Sequence, residues 1–234
     1  MVQIPYEKLT IEDIIIALSI GDGHIHMQAK AKNAYIDISH SKKQYEYLLW
    51  KNNLLIRYGL QSHVTRIAKQ CNKKDMEVYR VITKSNGDIT NVYKGLYIDK
   101  KKNMNYILEH LSPFLLAVWY MDDGSKKVKK KIKRKDGSYI VFKNGYIDSF
   151  MIATNGFSFE ECGALCDYIR NTFEIIGHIQ SDRGTPRISI SDNASKIRFK
   201  EIISPYVEEI PSMQYKINGI ISFKEAMLTD KISG

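Results

Sequence analysis

Two apolar segments of the sequence end in the same way, with an acidic residue followed by glycine. The first is Ile15–Gly23 (IIALSIGDG) and the second is Leu116–Gly124 (LAVWYMDDG). When they are aligned on the final Asp-Gly pair, Asp22 and Asp123 take equivalent positions, 101 residues apart. A recurrence over such a distance predicts two related halves built on one pattern.

Each segment suits a buried helix but is too short to span a bilayer, which needs about 20 apolar residues. If the two helices pack side by side, their terminal acids emerge together. Ala17 and Gly21 have the spacing that allows close packing, whereas the second segment has Val118 and Asp122 there, so we expect an asymmetric pair. Neighbouring carboxylates repel each other unless a cation lies between them, and Mg²⁺ prefers oxygen ligands. The pattern therefore predicts a metal site for phosphoryl chemistry.

A simpler interpretation is that Gly21–Gly23 and Asp122–Gly124 only terminate helices, because Asp-Gly is common in turns. Either motif alone fits that interpretation. Their recurrence at matching positions, each before a strand of polar alternation, favours the metal site.

The composition indicates a globular protein with a polyanionic partner. Of 234 residues, 44% are hydrophobic, enough for the core of one large or two small domains. The net charge of +9 favours nucleic acid, with an acidic membrane surface as the second candidate. No membrane helix or signal peptide is predicted, so we expect a soluble, unprocessed chain. Its cysteines, Cys71, Cys162 and Cys166, are predicted to be reduced thiols.

Capping patterns predict the helices. Thr10 and Ser112 are candidate caps of the two motif helices. Capping boxes at Ser41 and Ser158 predict a second helix in each half, ending at Gly59 and near Gly177. The apolar face predicted for the first of these helices comprises Tyr45, Leu48, Leu49, Leu55 and Ile56. The order helix, two strands, helix, two strands, helix is predicted to occur twice, with a longer first hairpin in the second half. Besides the strands that follow the two motifs, strands are predicted at residues 34–39, 63–68, 76–83, 139–142, 146–154, 178–181 and 187–191.

A polar or basic row follows each motif on one strand face. For Lys126–Lys135 the alternative is a solvated charge run, and His24 with His26 has the spacing of a metal-binding pair. Counted by twos from the two acids, the rows are His24, His26, Gln28 and Lys30 in the first half and Ser125, Lys127, Lys129, Lys131 and Lys133 in the second.

At Trp119–Gly124 (WYMDDG) and Ile210–Lys216 (IPSMQYK) the sequence resembles the LAGLIDADG homing endonucleases of the single-chain, two-motif kind. The resemblance covers nearly the whole chain, although the first motif departs at Ser19 and Ile20. It implies an α+β fold of two pseudo-symmetric αββαββα repeats, packed through the motif helices, whose sheets form a saddle over DNA. The expected halves are residues 1–102 and 103–234, with a linker at 100–105.

The resemblance also implies the site. Asp22 and Asp123 would be catalytic and would bind Mg²⁺, for which Mn²⁺ is an expected substitute, with backbone carbonyls near Gly21 and Asp122 as further ligands. The chain would then be an enzyme that hydrolyses one phosphodiester in each strand of double-stranded DNA, leaving short 3′ overhangs and promoting intron homing.

One basic residue in each half is implied beside the metals. Lys216 takes this place in the second half. In the first half we choose Lys102, with Lys100 and Lys101 as alternatives because the local alignment slips.

Specificity is expected from side chains in the major groove, where Arg and Lys suit guanine and Gln and Asn suit adenine. We expect a monomer on a long asymmetric site, without a protein partner, encoded in a mitochondrion or another organelle. The alternatives are an intron maturase that binds RNA, or a relative that binds nucleic acid without cutting. Candidate DNA contacts are His24, His26, Gln28, Lys30, Arg66, Lys69, Arg80, Lys127, Lys129, Lys131, Lys133, Arg183 and Arg187.

Overall fold

The structure is a computed structural model that describes residues 6–71 and 74–232, with side chains throughout except at residues 7, 68–71, 74–76 and 230–232. Its α-helices are α1 (Ile11–Ile20), α2 (Tyr45–Arg57), α3 (Gly87–Leu96), α4 (Met104–His110), α5 (Pro113–Asp123), α6 (Phe159–Phe173), α7 (Asn193–Val207) and α8 (Phe223–Ile232). Its strands are β1 (Gly23–His26), β2 (Tyr35–Ser41), β3 (Ser62–Cys71), β4 (Lys74–Thr83), β5 (Tyr97–Ile98), β6 (Lys101–Lys102), β7 (Gly124–Lys133), β8 (Tyr139–Ala153), β9 (His178–Asp182) and β10 (Thr185–Ile190).

The order α1-β1-β2-α2-β3-β4-α3 recurs as α5-β7-β8-α6-β9-β10-α7, which confirms the predicted pair of α+β repeats. The first repeat forms an antiparallel sheet with strand order β1-β2-β4-β3, and the second forms the equivalent sheet β7-β8-β10-β9. The first hairpin of the second repeat is the longer one, as predicted, because β8 has 15 residues and β2 has 7.

Three of the predicted helix caps are present. Thr10 forms a capping box with Asp13, and Ser158 forms one with Glu161. The Ser112 hydroxyl accepts the N–H of Leu115 at 3.3 Å. These hydrogen bonds satisfy donors that the first turn of a helix leaves without intrahelical partners.

The capping box at Ser41 was a wrong prediction. Ser41 makes no side-chain capping bond, and a 3₁₀ turn precedes α2. The predicted buried face of α2 was also displaced: Leu48 and Leu55 are buried, but Tyr45 and Ile56 are exposed. The buried face instead includes Tyr47.

Two other boundaries differ from the predictions. Helix α6 ends at Phe173, and Glu174 takes the left-handed conformation that was expected near Gly177. The predicted linker at 100–105 is instead the end of the β5–β6 hairpin and the start of α4, with Asp99 and Lys100 at positive φ.

The chain divides into two compact units. One comprises Met1–Asp123 with Pro205–Gln214, and the other comprises Gly124–Ser204 with Tyr215–Gly234. The first unit contains both motif helices, which pack against each other. The predicted boundary between residues 102 and 103 divides the chain by its sequence repeat and not by its compact units, so these two halves stay a prediction.

Two remaining expectations concern the membrane and the cysteines. None of the described helices combines the length and hydropathy that a membrane span requires. Cys162 and Cys166 are buried free thiols, and burial raises the pKa of Cys166 to about 11. The side chain of Cys71 lies outside the described residues.

Gly21, at the end of α1, lies against the side chain of Asp122 on α5. A Cβ atom built on Gly21 would lie 2.4 Å from the Cβ of Asp122. Real Cβ atoms do not approach this closely, and the atom it meets is fixed to a helix backbone. The glycine of the first motif is therefore required by packing.

We expect Gly21→Ala to destabilise the protein by about 1–3 kcal/mol, because an overpacked contact must be relieved by moving a helix. The matched control is Gly163→Ala in α6, where an added Cβ meets nothing within 4 Å. The control should gain about 0.5–1 kcal/mol, since alanine has the higher helix propensity. Urea unfolding of both variants measures the difference, and equal stabilities would contradict the close approach.

Candidate active site

The acids of the two motifs meet at one end of the helix pair. Asp22 directly follows the C-cap of α1, and Asp122 and Asp123 are the last residues of α5. The backbone N–H of Asp22 donates to Oδ2 of Asp122 at 3.1 Å. The carboxylate of Asp22 is 37% exposed, so it remains open to solvent or a ligand.

The carboxylate of Asp122 is held on the protein side. Its Oδ1 accepts from the Tyr47 hydroxyl at 2.8 Å and from Lys51 Nζ at 2.6 Å. The side chains of Lys51 and Asp122 are both completely buried. Oδ1 of Asp122 is thus held by two side chains of α2, while its Oδ2 accepts from the backbone of Asp22.

His40 on β2 adds a nitrogen donor to this group. Its Nδ1 lies 3.7 Å from Oδ2 of Asp22, and its side chain is 2% exposed. Asp22, His40 and Asp122 each offer a ligand atom, and these atoms lie within 4.8 Å of one another. Two carboxylates and an imidazole suit a divalent cation, and the nitrogen donor suits Mn²⁺ better than Mg²⁺.

Lys102 lies beside the same helix end. Its Nζ donates to the backbone carbonyls of Ile20 and Gly21. Burial lowers the pKa of Lys102, and the charges of Asp123, Asp122 and Asp22 oppose that shift. All three acids therefore act electrostatically on this ammonium group. The alternatives Lys100 and Lys101 are exposed.

Lys216 ends a 3₁₀ helix, Pro211–Lys216, and is buried. Its Nζ donates to the carbonyl of Gly124 at 2.9 Å. Gly124 is the final residue of the second motif, as Gly23 is of the first. Each predicted lysine thus donates to a backbone carbonyl of a motif end.

The predicted polar row of the first half is shorter than expected. His24 is exposed and His26 partly exposed on β1, as alternation requires. Gln28 and Lys30 follow the end of the strand, because the pairing of β1 with β2 stops at His26 and a turn begins at Gln28. Burial and the neighbouring His26 lower the pKa of His24. Lys69 lies on β3, but its side chain is outside the described residues.

The two candidate arginines of this sheet lie on opposite faces. Arg80 pairs across the strands with Thr65, so the next residue of β3, Arg66, points to the other side. Arg80 forms a bidentate ion pair with Asp37, and Arg66 pairs with Glu77. Arg66 therefore does not share a surface with Arg80.

The four lysines of the second row, Lys127, Lys129, Lys131 and Lys133, are all exposed. Lys127 and Lys129 both reach Asp148, at 3.6 and 3.2 Å, and so share one face. Two register shifts interrupt the pairing of β7 with β8. The alternation of faces at every second residue therefore does not hold along the whole of β7, because each shift changes which residues share a face.

The remaining candidates lie on or beside β10. Arg187 pairs with Asp182 at 3.1 Å and is 33% exposed. Arg183 is in the turn before β10 and has a φ of 54°. Both lie at the same end of the β9–β10 hairpin.

His40, Tyr47 and Lys51 were not among the predicted site residues. Lys51 did carry a usable signal, because it lies three residues after Leu48 and four before Leu55, inside the apolar stripe of α2. A lysine at such a position requires a buried partner. His40 and Tyr47 had no local signal, since only the fold brings them to the acids.

The sequence profile of the LAGLIDADG DNA endonuclease family matches residues 13–197, most of the chain. The chain belongs to this family. The solved structure of the homing endonuclease I-WcaI bound to its DNA recognition sequence is similar, with a TM-score of 0.74 and 22% identity over 92% of this chain and 91% of I-WcaI. That similarity shows a shared LAGLIDADG fold.

Two curated relatives of the chain are longer proteins. The RecA protein of Mycolicibacterium flavescens is 28% identical over 210 residues, covering 87% of this chain and 45% of RecA. The cytochrome b mRNA maturase bI2 of Saccharomyces cerevisiae is 25% identical over 228 residues, covering 92% of this chain and 48% of the maturase. The chain thus spans less than half the length of either relative.

Proposed function

We propose that this LAGLIDADG protein is a site-specific DNA endonuclease that makes a metal-dependent double-strand break with short 3′ overhangs at a long asymmetric target, promoting intron homing. The observation that carries the proposal is the contact between the motif ends, where Asp22 N–H donates to Asp122. Lys102 lies beside these acids, whose charges oppose the fall in its pKa that burial causes. Carboxylates that can hold a metal ion, with a lysine ammonium beside them, suit the hydrolysis of a phosphodiester.

Asp22 and Asp123 would hold the cations, with backbone carbonyls near Gly21 and Asp122 as further ligands. Bound Mg²⁺, or Mn²⁺ in its place, would activate water and stabilise the attacking and leaving oxygens. The Gly21 carbonyl accepts from Lys102 at 3.4 Å, and a carbonyl has a second lone pair for a metal. Lys102 and Lys216 would balance the charge that develops on the phosphate.

DNA would lie along the two sheets. The support is the exposed lysine row of β7 and the polar face of β1. Ion pairs such as Arg80 with Asp37 hold these side chains in defined positions before DNA arrives. Base contacts by a guanidinium then need little further ordering. I-WcaI is itself bound to DNA in its solved structure.

A maturase is the second candidate, because the yeast relative is a cytochrome b mRNA maturase. That likeness, and a composition rich in Lys, Ile, Asn and Tyr, also support an organellar gene. The two functions differ in what the purified protein does to naked nucleic acid. A maturase stimulates splicing of an intron RNA and need not cut DNA.

Selection of cleaved molecules from a randomised DNA library tests the function. We expect one long target to be recovered in Mg²⁺ or Mn²⁺ and none in EDTA. Recovery of no cleaved target with either metal, together with stimulated splicing of an intron RNA, would favour the maturase.

We also expect one protein chain to act on each target. The two halves have diverged, because His24 and His26 of β1 correspond to serine and lysine on β7, and the second hairpin is longer. Identical subunits would present identical surfaces to both half-sites. Sedimentation of the complex should therefore give one chain of 27.0 kDa per duplex. Two chains per duplex, or a palindromic selected target, would contradict this stoichiometry.

A further inference from the structure

A buried ion pair supports the acid of the first motif. Lys51 Nζ lies 2.6 Å from Oδ1 of Asp122, and neither side chain is exposed. Removing one partner of such a pair leaves an uncompensated buried charge, which is strongly destabilising. Tyr47 donates to the same oxygen, and burial, with the nearby charge of Asp122, raises the pKa of Tyr47 well above its usual value. Tyr47 therefore stays a neutral donor.

The other oxygen of Asp122 holds the backbone of Asp22. Oδ2 accepts the Asp22 N–H at 3.1 Å. Gly21 already touches the Asp122 side chain, so the end of α1 cannot move closer to α5. The position of the Asp22 carboxylate therefore depends on where Lys51 and Tyr47 hold Asp122.

The ion pair between Lys51 and Asp122 has no counterpart on the equivalent elements α1 and α6. The residue of α1 that corresponds to Asp122 is Gly21, which offers no side chain to the second motif. The helix that corresponds to α2 is α6, and its one basic residue, Arg170, is exposed beside Asp167. A buried lysine thus reaches a motif end from α2 and not from α6.

We propose that Lys51 is a positioning residue that fixes Asp22 through Asp122. Because Lys51 supports only one of the two motif acids in this way, the cutting of one DNA strand depends on it more than the cutting of the other. The inference rests on the proposed endonuclease function. Without Lys51, the buried carboxylate of Asp122 would lose its ion-pair partner and turn towards solvent. The Asp22 N–H would then lose its fixed acceptor, and the Asp22 carboxylate would hold a cation less well.

The test uses the selected target with a different end label on each strand. In Lys51→Met we expect the ratio of the two strand-cleavage rates to change about ten-fold, as is typical when a residue supporting a metal ligand is removed. Nicked DNA should accumulate, and the slow strand should require more Mg²⁺ for half-maximal cutting. The matched control is Lys196→Met, since Lys196 is also buried but donates to the carbonyls of Ile147 and Ile221. The control should lose stability without changing the ratio.

Tyr47→Phe provides a second variant in case Lys51→Met does not fold. It removes one hydrogen bond to Asp122 while the ion pair remains, so the ratio should shift in the same direction by about three-fold. An unchanged ratio in every variant that folds, or equal slowing of both strands, would overturn the role of Lys51. A wild-type protein that cuts neither strand would instead refute the proposed function, and the inference with it.

Discussion

Asp22→Asn and Asp123→Asn should each abolish double-strand cleavage while the folded protein still binds its DNA target. An amide is a poorer metal ligand than a carboxylate, and each acid terminates a separate motif. Loss of the charge stabilisation that a bound metal supplies is worth several kcal/mol, which corresponds to a fall of about 1,000-fold or more in rate. Cleavage of supercoiled plasmid carrying the target, together with binding in Ca²⁺, separates catalysis from affinity.

A suitable control for these variants is Asp167→Asn on α6. Asp167 is 71% exposed and pairs only weakly with Arg170, at 3.7 Å. This variant should cut at the wild-type rate. If either motif variant cut both strands in Mg²⁺ as fast as the control, the assignment of that acid would be wrong.

Replacing Lys127, Lys129, Lys131 and Lys133 together with glutamine should weaken DNA binding and flatten its salt dependence. Roughly four fewer phosphate contacts would reduce the slope of log K against log salt by about 3.6. In the free protein Lys127 and Lys129 both pair with Asp148, so each must give up that ion pair to contact a DNA phosphate. Fluorescence anisotropy at several salt concentrations measures the slope.

The control removes four exposed lysines that lie outside the two large sheets, so the net charge falls equally. The slope should then change little, because these side chains are not on the proposed DNA surface. Equal slopes for the two quadruple variants would show that the β7 row is only a solvated surface. A smaller change with relaxed sequence preference would assign some of the row to base contacts. The control lysines are Lys8, Lys84, Lys94 and Lys224.

The elements that the sequence predicted well are those with local causes. Each Asp-Gly motif, the capping boxes at Thr10 and Ser158 and the order of helices and strands along the chain depend on residues close together in the sequence. Gly21 was predicted from its spacing to allow close packing, and the structure places it against Asp122. These features required no knowledge of the tertiary fold.

The errors arise where tertiary contacts decide. Lys51 lies on the buried face of α2 because it pairs there with Asp122. A count of apolar residues alone does not include a lysine, so it placed the buried face of α2 wrongly. Arg66 and Arg80 seemed equivalent as single basic residues, but strand register puts them on opposite faces. Gln28 was placed on the polar row of a strand, but the pairing of β1 with β2 stops at His26.

Anomalous diffraction from crystals of the protein with its selected DNA and Mn²⁺ would show which carboxylates hold the metal. We expect manganese to be coordinated directly by the carboxylates of both Asp22 and Asp123. The same peaks should be lost in Asp22→Asn and Asp123→Asn crystals. Manganese bound elsewhere, or absent from both acids in crystals whose DNA has been cut, would contradict the assignment of Asp22 and Asp123 as the metal-binding pair.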